Sequence, residues 1–179
     1  AMVVGLPLGF LMGLNRTAEE LLDPYLIALY VMPFAAMVPA LILWFGTGTL
    51  IRFVVVFFFA LFPITINTMD GAKTTPPELL NAAHSFGASR FFTIRHVVLP
   101  YEIPYIIAGL RLGIGRAVKG LVVTEILISA TGFGLIISQW STGLRMEGVF
   151  SAVLVLMAMG LILTGLLKQA ERRLVTWDT

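Results

Sequence analysis

An all-α bundle of membrane-crossing helices is the fold class that this sequence predicts, and three observations carry the prediction. Hydrophobic residues make up 58% of the 179 and charged ones only 12%, where a soluble domain carries about a quarter; mean hydropathy is +0.94. The apolar residues fall in long continuous runs, such as FVVVFFFALFPITINTM at 53–69 and VFSAVLVLMAMGLILTGLL at 149–167. Those runs lack period-two alternation, so backbone hydrogen bonds in lipid are satisfied within helices and not around a barrel. The polar segments between the runs are too short to hold a soluble domain, and no internal repeat or low-complexity tract interrupts them.

Taken in order, the first element is AMVVGLPLGFLMGL at 1–14. It has neither the basic start nor the cleavage site of a signal peptide. It is also shorter than the roughly 20 residues a crossing helix needs, and is expected to be the tail of a helix that begins before residue 1. Gly5, Gly9 and Gly13 recur every fourth residue and leave a smooth stripe for close packing. NRTAEELLDP at 15–24 is a polar break, with Thr17 and Glu20 spaced as a capping box. Residues 25–45 are apolar but hold Pro33 and Pro39, which predicts a kinked span. A turn from Gly46 to Arg52 leads into the span at 53–69. The polar break 70–102 follows, then a span at 103–128 that carries Arg111, Arg116, Lys119 and Glu125. TGFG at 131–134 breaks the chain before the last span at 149–167. Trp44, Trp140 and Trp177 suit the two membrane interfaces.

Charge sets the orientation. With 70–102 in the cytoplasm, that side holds Arg16, Lys73, Arg90, Arg95, Lys168, Arg172 and Arg173, against Arg52 and Arg145 opposite. An excess of bases marks the inside, so the break and the C-terminus are expected to be cytoplasmic. A net charge of +2, with its bases dispersed, gives no footing for nucleic acid, and the absence of cysteine excludes disulfides and thiol chemistry. Two histidines and ten scattered acids leave little material for a metal site, and no cofactor motif is present.

The break is itself structured. Thr75-Pro76-Pro77-Glu78 reads as a helix start, with Thr75 as N-cap and Pro76 at the first helical position. A short helix runs through ELLNAAHSF and stops at Gly87, and Ser89 can cap a second through Phe91–Val98, which Leu99-Pro100 ends. Asn81, Ala82 and Ala83 make the first helix small-sided, suited to lying in a partner's groove, while Leu79, Leu80 and Phe86 offer apolar anchors. Lying on lipid headgroups is the alternative.

Within the 103–128 span, Arg116 and Lys119 are neighbours on one helix surface. Charges there are costly and usually face a partner or an aqueous path. Two adjacent cations would concentrate anions in such a path, so Arg116, Lys119 and Glu125 are candidate translocation residues. The alternative is structural: the cations snorkel or pair with acids, and Glu125 serves as charge partner to a buried cation.

The break resembles the cytoplasmic loop of the permease subunits of ABC importers. That loop reads E-A-A, three residues, Gly, nine residues, Ile, one residue, Leu-Pro. Here Asn81-Ala82-Ala83, Gly87, Val97 and Leu99-Pro100 match at both spacings, with Asn81 in place of Glu and Val97 in place of Ile. LILWFGTG at 41–48, FPITINTMDG at 62–71, GLRLGIG at 109–115, LVVTEIL at 121–127 and ERRL at 171–174 resemble the nitrate, sulfonate and taurine branch. The resemblance implies a type I importer permease in the bacterial inner membrane. Asn81, Ala82, Ala83 and Gly87 would lie on a coupling helix that docks in an ATPase subunit. Leu99 and Pro100 complete the motif, and His84 and Arg90 would flank the contact. It further implies two ATPase subunits, a second permease subunit and an extracytoplasmic binding protein as partners, and a small anionic solute. No G-x-x-x-x-G-K-[ST] precedes any of Lys73, Lys119 or Lys168, so ATP hydrolysis is expected in a partner. A secondary transporter or channel independent of any ATPase is the competing reading, and no His-rich or Ser/His constellation supports a membrane enzyme.

Overall fold

A computed structural model describes residues 1–128 and 131–174, with side chains through 169; Trp177 and the side chains of Arg172 and Arg173 lie outside the described residues. Helix α1 (Met2–Leu14) is followed by α2 (Arg16–Val31). The start of α2 corrects the expected capping box. Asn15 is the N-cap, and its side-chain oxygen accepts from the Thr17 and Ala18 N–H groups at 3.0 and 3.4 Å. The polar stretch 15–24 is therefore helical, with Glu19 in the first turn, where a negative charge complements the helix dipole. Next, α2 stops at Met32-Pro33, since a proline interrupts the hydrogen-bond ladder, and α3 (Phe34–Phe45) leaves at 91°. The expected kink is this break; Pro39 stays inside α3.

Helix α4 (Thr49–Lys73) overruns its apolar stretch at both ends. After α5 (Pro77–Ser85) and the single turn α6 (Arg90–Thr93), a π-helical turn at Ile94–Val98 runs straight into α7 (Leu99–Ile128). Leu99-Pro100 thus ends no helix, contrary to expectation. The Leu99 N–H reaches back five residues to the Ile94 carbonyl, and the widened turn relieves the crowding that the Pro100 ring would impose on the preceding turn. The result is one continuous helix, Arg90–Ile128, about 55–60 Å long at 1.5 Å per residue. That exceeds the roughly 40–45 Å of a whole bilayer. After α7 come α8 (Gly132–Thr142) and α9 (Met146–Leu174).

Packing is organised around α4. On one side α1 runs parallel to it: Gly5 faces Ile64 and Thr65, Gly9 faces Thr65 and Thr68, and Gly13 faces Met69 and Ala72. On the other side α7 runs antiparallel, with Gly71 against Glu102 and Tyr105, Gly109 against Asn67, and Gly120 against Phe59. Missing side chains let backbones approach closely, which in lipid replaces the hydrophobic drive as the source of helix association. Near the end of α4, Met12, Leu26 and Met69 are buried together, and Lys73 pairs with Glu19 of α2 at 2.6 Å. The polar segments 15–24 and 70–102 therefore lie at the same end of the bundle. Toward the other end, Val38, Leu41, Ile51 and Val55 form a second core.

Among the described residues two helices, α4 and α9, are each long and apolar enough to cross a membrane, and the bent pairs raise the candidate spans to as many as four. The two differ in surroundings: 39% of the apolar window of α4 is buried but only 6% of that of α9. Nearly all of α9 is left for lipid or another subunit to cover.

Candidate functional site

The segment between α4 and α7 is buried at Thr75, Thr93 and Val98, while its first helix, α5, is not. Proline sets its start: Pro76 occupies the N-cap position and Pro77 the first helical position, where a missing N–H costs nothing. This displaces the expected cap by one residue, and the Thr75 hydroxyl is buried without a hydrogen-bond partner among the described residues. The end of α5 is built as the sequence suggests. Ala88 N–H donates to the Ala83 carbonyl at 3.0 Å and Gly87 N–H to that of His84 at 2.9 Å, a Schellman closure. It requires the left-handed φ of +74° found at Gly87. Ser89 then caps α6, its hydroxyl accepting from the Phe92 N–H at 3.3 Å.

No residue of α5 is buried. Asn81, Ala82, His84, Gly87 and Arg90 are exposed, Ala83 is half-buried, and Phe86 is 90% exposed beside an exposed Leu79. Among the described residues Arg90 makes no ion pair. A nine-residue helix is marginal on its own; this one turns half-buried Leu80 and Ala83 inward and presents small residues and a protruding phenyl ring to the outside. Leu99 and Pro100 sit apart from it, at the start of α7.

The intramembrane charges separate. Arg116 donates to the Tyr30 hydroxyl at 2.5 Å and lies 4.5 Å from the centre of its ring. It borders a cavity of about 220 Å³ at the α2–α3 bend, walled by Phe34, Phe59 and Phe62 with no acid in its lining. Lys119, exposed, edges a larger apolar groove of about 670 Å³ between α7 and α9, and among the described residues it makes no ion pair. The two cations thus serve adjacent but different recesses. Glu125 is buried and reaches neither; its Oε2 accepts from the Gly134 N–H of α8 at 3.1 Å.

Sequence reasoning missed two groups. Tyr30 gives no local signal, since its partner is 86 residues away. Glu102 is fully buried where α7 meets Gly71 of α4, with neither carboxyl oxygen hydrogen-bonded among the described residues. Its one local signal is an acid at the edge of an apolar run.

The family model for the binding-protein-dependent transport system inner membrane component matches residues 5–176. The chain belongs to this family. A Methanocaldococcus jannaschii protein named as an ABC transporter permease is 36% identical over 99% of this chain and 67% of its own length. The taurine transport permease of Escherichia coli is 29% identical over 99% of this chain and 64% of its own. The riboflavin transport permease of Chloroflexus aurantiacus is 33% identical over 91% and 61%. The chain spans about two thirds of the length of the curated relatives it matches. Among the described residues the chain is all-α, with two and up to four candidate membrane spans, and its family is that of the membrane component of a transport system, the permease and not the ATPase subunit.

Proposed function

We propose that this chain is the membrane-crossing subunit of an ATP-driven importer, and that α5 is the element through which the ATPase acts on it. The observation that carries the proposal is the uncovered α5, with Asn81, Ala82 and Ala83 exposed or half-exposed and Phe86 protruding, mounted by the π turn on a helix that continues to Ile128. Small side chains permit close approach to a groove, and the exposed ring and Leu79 supply anchors. Closure of two ATPase subunits would move α5, and the continuous helix would carry the motion across the bilayer. The complex would contain a second permease subunit and an extracytoplasmic binding protein. The α5 end and the C-terminus would face the cytoplasm. Arg116 and Lys119 would favour a small anion in the path between the subunits.

The absence of cysteine makes the test direct. A single Ala83→Cys substitution in the full-length chain, expressed with its ATPase, should give a crosslink to that subunit whose yield changes with ATP. A well-formed complex without such a crosslink would place the contact elsewhere, and the absence of any complex would favour a gradient-driven carrier. In the same complex, replacing Arg116 and Lys119 together by Gln should lower uptake of an anionic solute. Unchanged uptake and unchanged preference for anions would remove both from the path.

A further inference from the structure

At the far end of α7 from the proposed ATPase contact, the chain breaks and α8 begins at Gly132. Thr131 occupies the N-cap position of α8 in extended conformation, yet its side chain makes no capping hydrogen bond. The oxygen that belongs there comes from another helix. Glu125 Oε2 accepts from the Gly134 N–H at 3.1 Å, and Gly134 is the third residue of α8, the position a cap oxygen serves. A carboxylate is also the favoured charge at a helix N-terminus. Both glycines of α8's first turn are shaped to this contact. A Cβ at Gly132, whose φ is +79°, would fall on the Glu125 carboxylate, and one at Gly134 would fall on Glu125 Cβ and the Ile126 nitrogen. Glu125 forms no ion pair among the described residues; the end of α8 stands where a cation was expected.

We infer that Glu125 is a positioning residue: its carboxylate caps α8 from α7 and makes the two helices move as one body. The consequence for transport rests on the proposed function above. In that setting α8 is carried by the same continuous helix that begins beside α5, so a displacement at the ATPase end reaches α8 through Glu125. The hydrogen bond, and not the charge alone, is what the geometry requires, because the acceptor must reach across the break to one particular N–H.

The test uses the full-length permease with its ATPase subunits in nanodiscs, where both faces are open to reagent. A Ser138→Cys substitution places a thiol at a half-buried position of α8, and its rate of maleimide labelling reads whether α8 is seated. With Glu125 intact, labelling should be slow and should change on trapping the ATPase with ATP and vanadate. Glu125→Ala should raise the rate at least fivefold and abolish the response to ATP. Glu125→Asp keeps the charge but is one methylene short and should behave like Ala; Glu125→Gln keeps an acceptor at full reach and should stay within twofold of the parent. Asp like the parent with Gln like Ala would show a charge partner instead of a cap. All three variants like the parent would show that Glu125 does not hold α8. Either result overturns the inference. An Ala83→Cys crosslink in the same particles reports separately on the ATPase contact, so failure of the transport reading is distinguishable from failure of the cap.

Discussion

Gly9→Ala is the smallest perturbation that probes the centre of the bundle. A Cβ built at Gly9 comes 2.6 Å from the Thr65 carbonyl oxygen and 2.6 Å from Thr68 Cβ. Ordinary contact for such atoms begins near 3.4 Å, so α1 and α4 must separate by somewhat less than an ångström. Neither obstacle is the tip of a flexible side chain; one is backbone. Overpacking of this kind costs about 1–3 kcal/mol, and a backbone obstacle puts Gly9 in the upper half of that range. Alanine in place of glycine returns about 1 kcal/mol of helix propensity. The net expectation is a loss of about 1–2 kcal/mol, which for a chain of this size lowers the midpoint of thermal unfolding by roughly 2–8 °C. Gly160→Ala is the control, since nothing lies within 4 Å of a Cβ there, and it should hold or raise the midpoint. Melting of both variants in one detergent, followed by tryptophan fluorescence, decides the matter. Equal midpoints for the two would refute the claim that α1 is seated on α4 through its glycines.

Two further outcomes follow from the same reasoning. Gly87→Ala meets no atoms within 4 Å but keeps a φ of +74°, so its cost of about 1–2 kcal/mol is purely conformational. It should weaken binding of the ATPase about 5- to 30-fold, with Gly87→Asn milder; an unchanged affinity in a nanodisc titration would dissociate the α5 closure from docking. Glu102→Met removes a buried carboxyl that has no hydrogen bond among the described residues, relieving about 1–3 kcal/mol of desolvation. Its melting midpoint should rise by several degrees, and a fall would reveal a partner for the acid outside this chain.

How much of this was legible beforehand depended on whether the cause was local. The apolar runs, the bend at Pro33, the stop at Gly87 and the Ser89 cap are each dictated by a few neighbouring residues, and the structure places them there, while of TGFG only Thr131 lies outside α8. Local signals also misled. Thr75 has cap chemistry, but the paired prolines shift the helix start by one residue and leave its hydroxyl buried. Leu99-Pro100 reads as a terminator, yet a π turn absorbs the proline and the helix continues.

The sequence by itself determined that this is a helical membrane chain and where most of its helices break. Those properties follow from hydropathy, from the fixed φ and missing N–H of proline, and from the conformational freedom of glycine, all of which act within one or two turns. Only the tertiary structure decided that α1 lies parallel on α4, that Arg116 turns to Tyr30 and not to Lys119's recess, and that the Glu125 carboxylate meets the Gly134 N–H of α8. Each of these is a choice among partners far apart in the chain, and that choice is made by which helix faces can approach closely enough to touch.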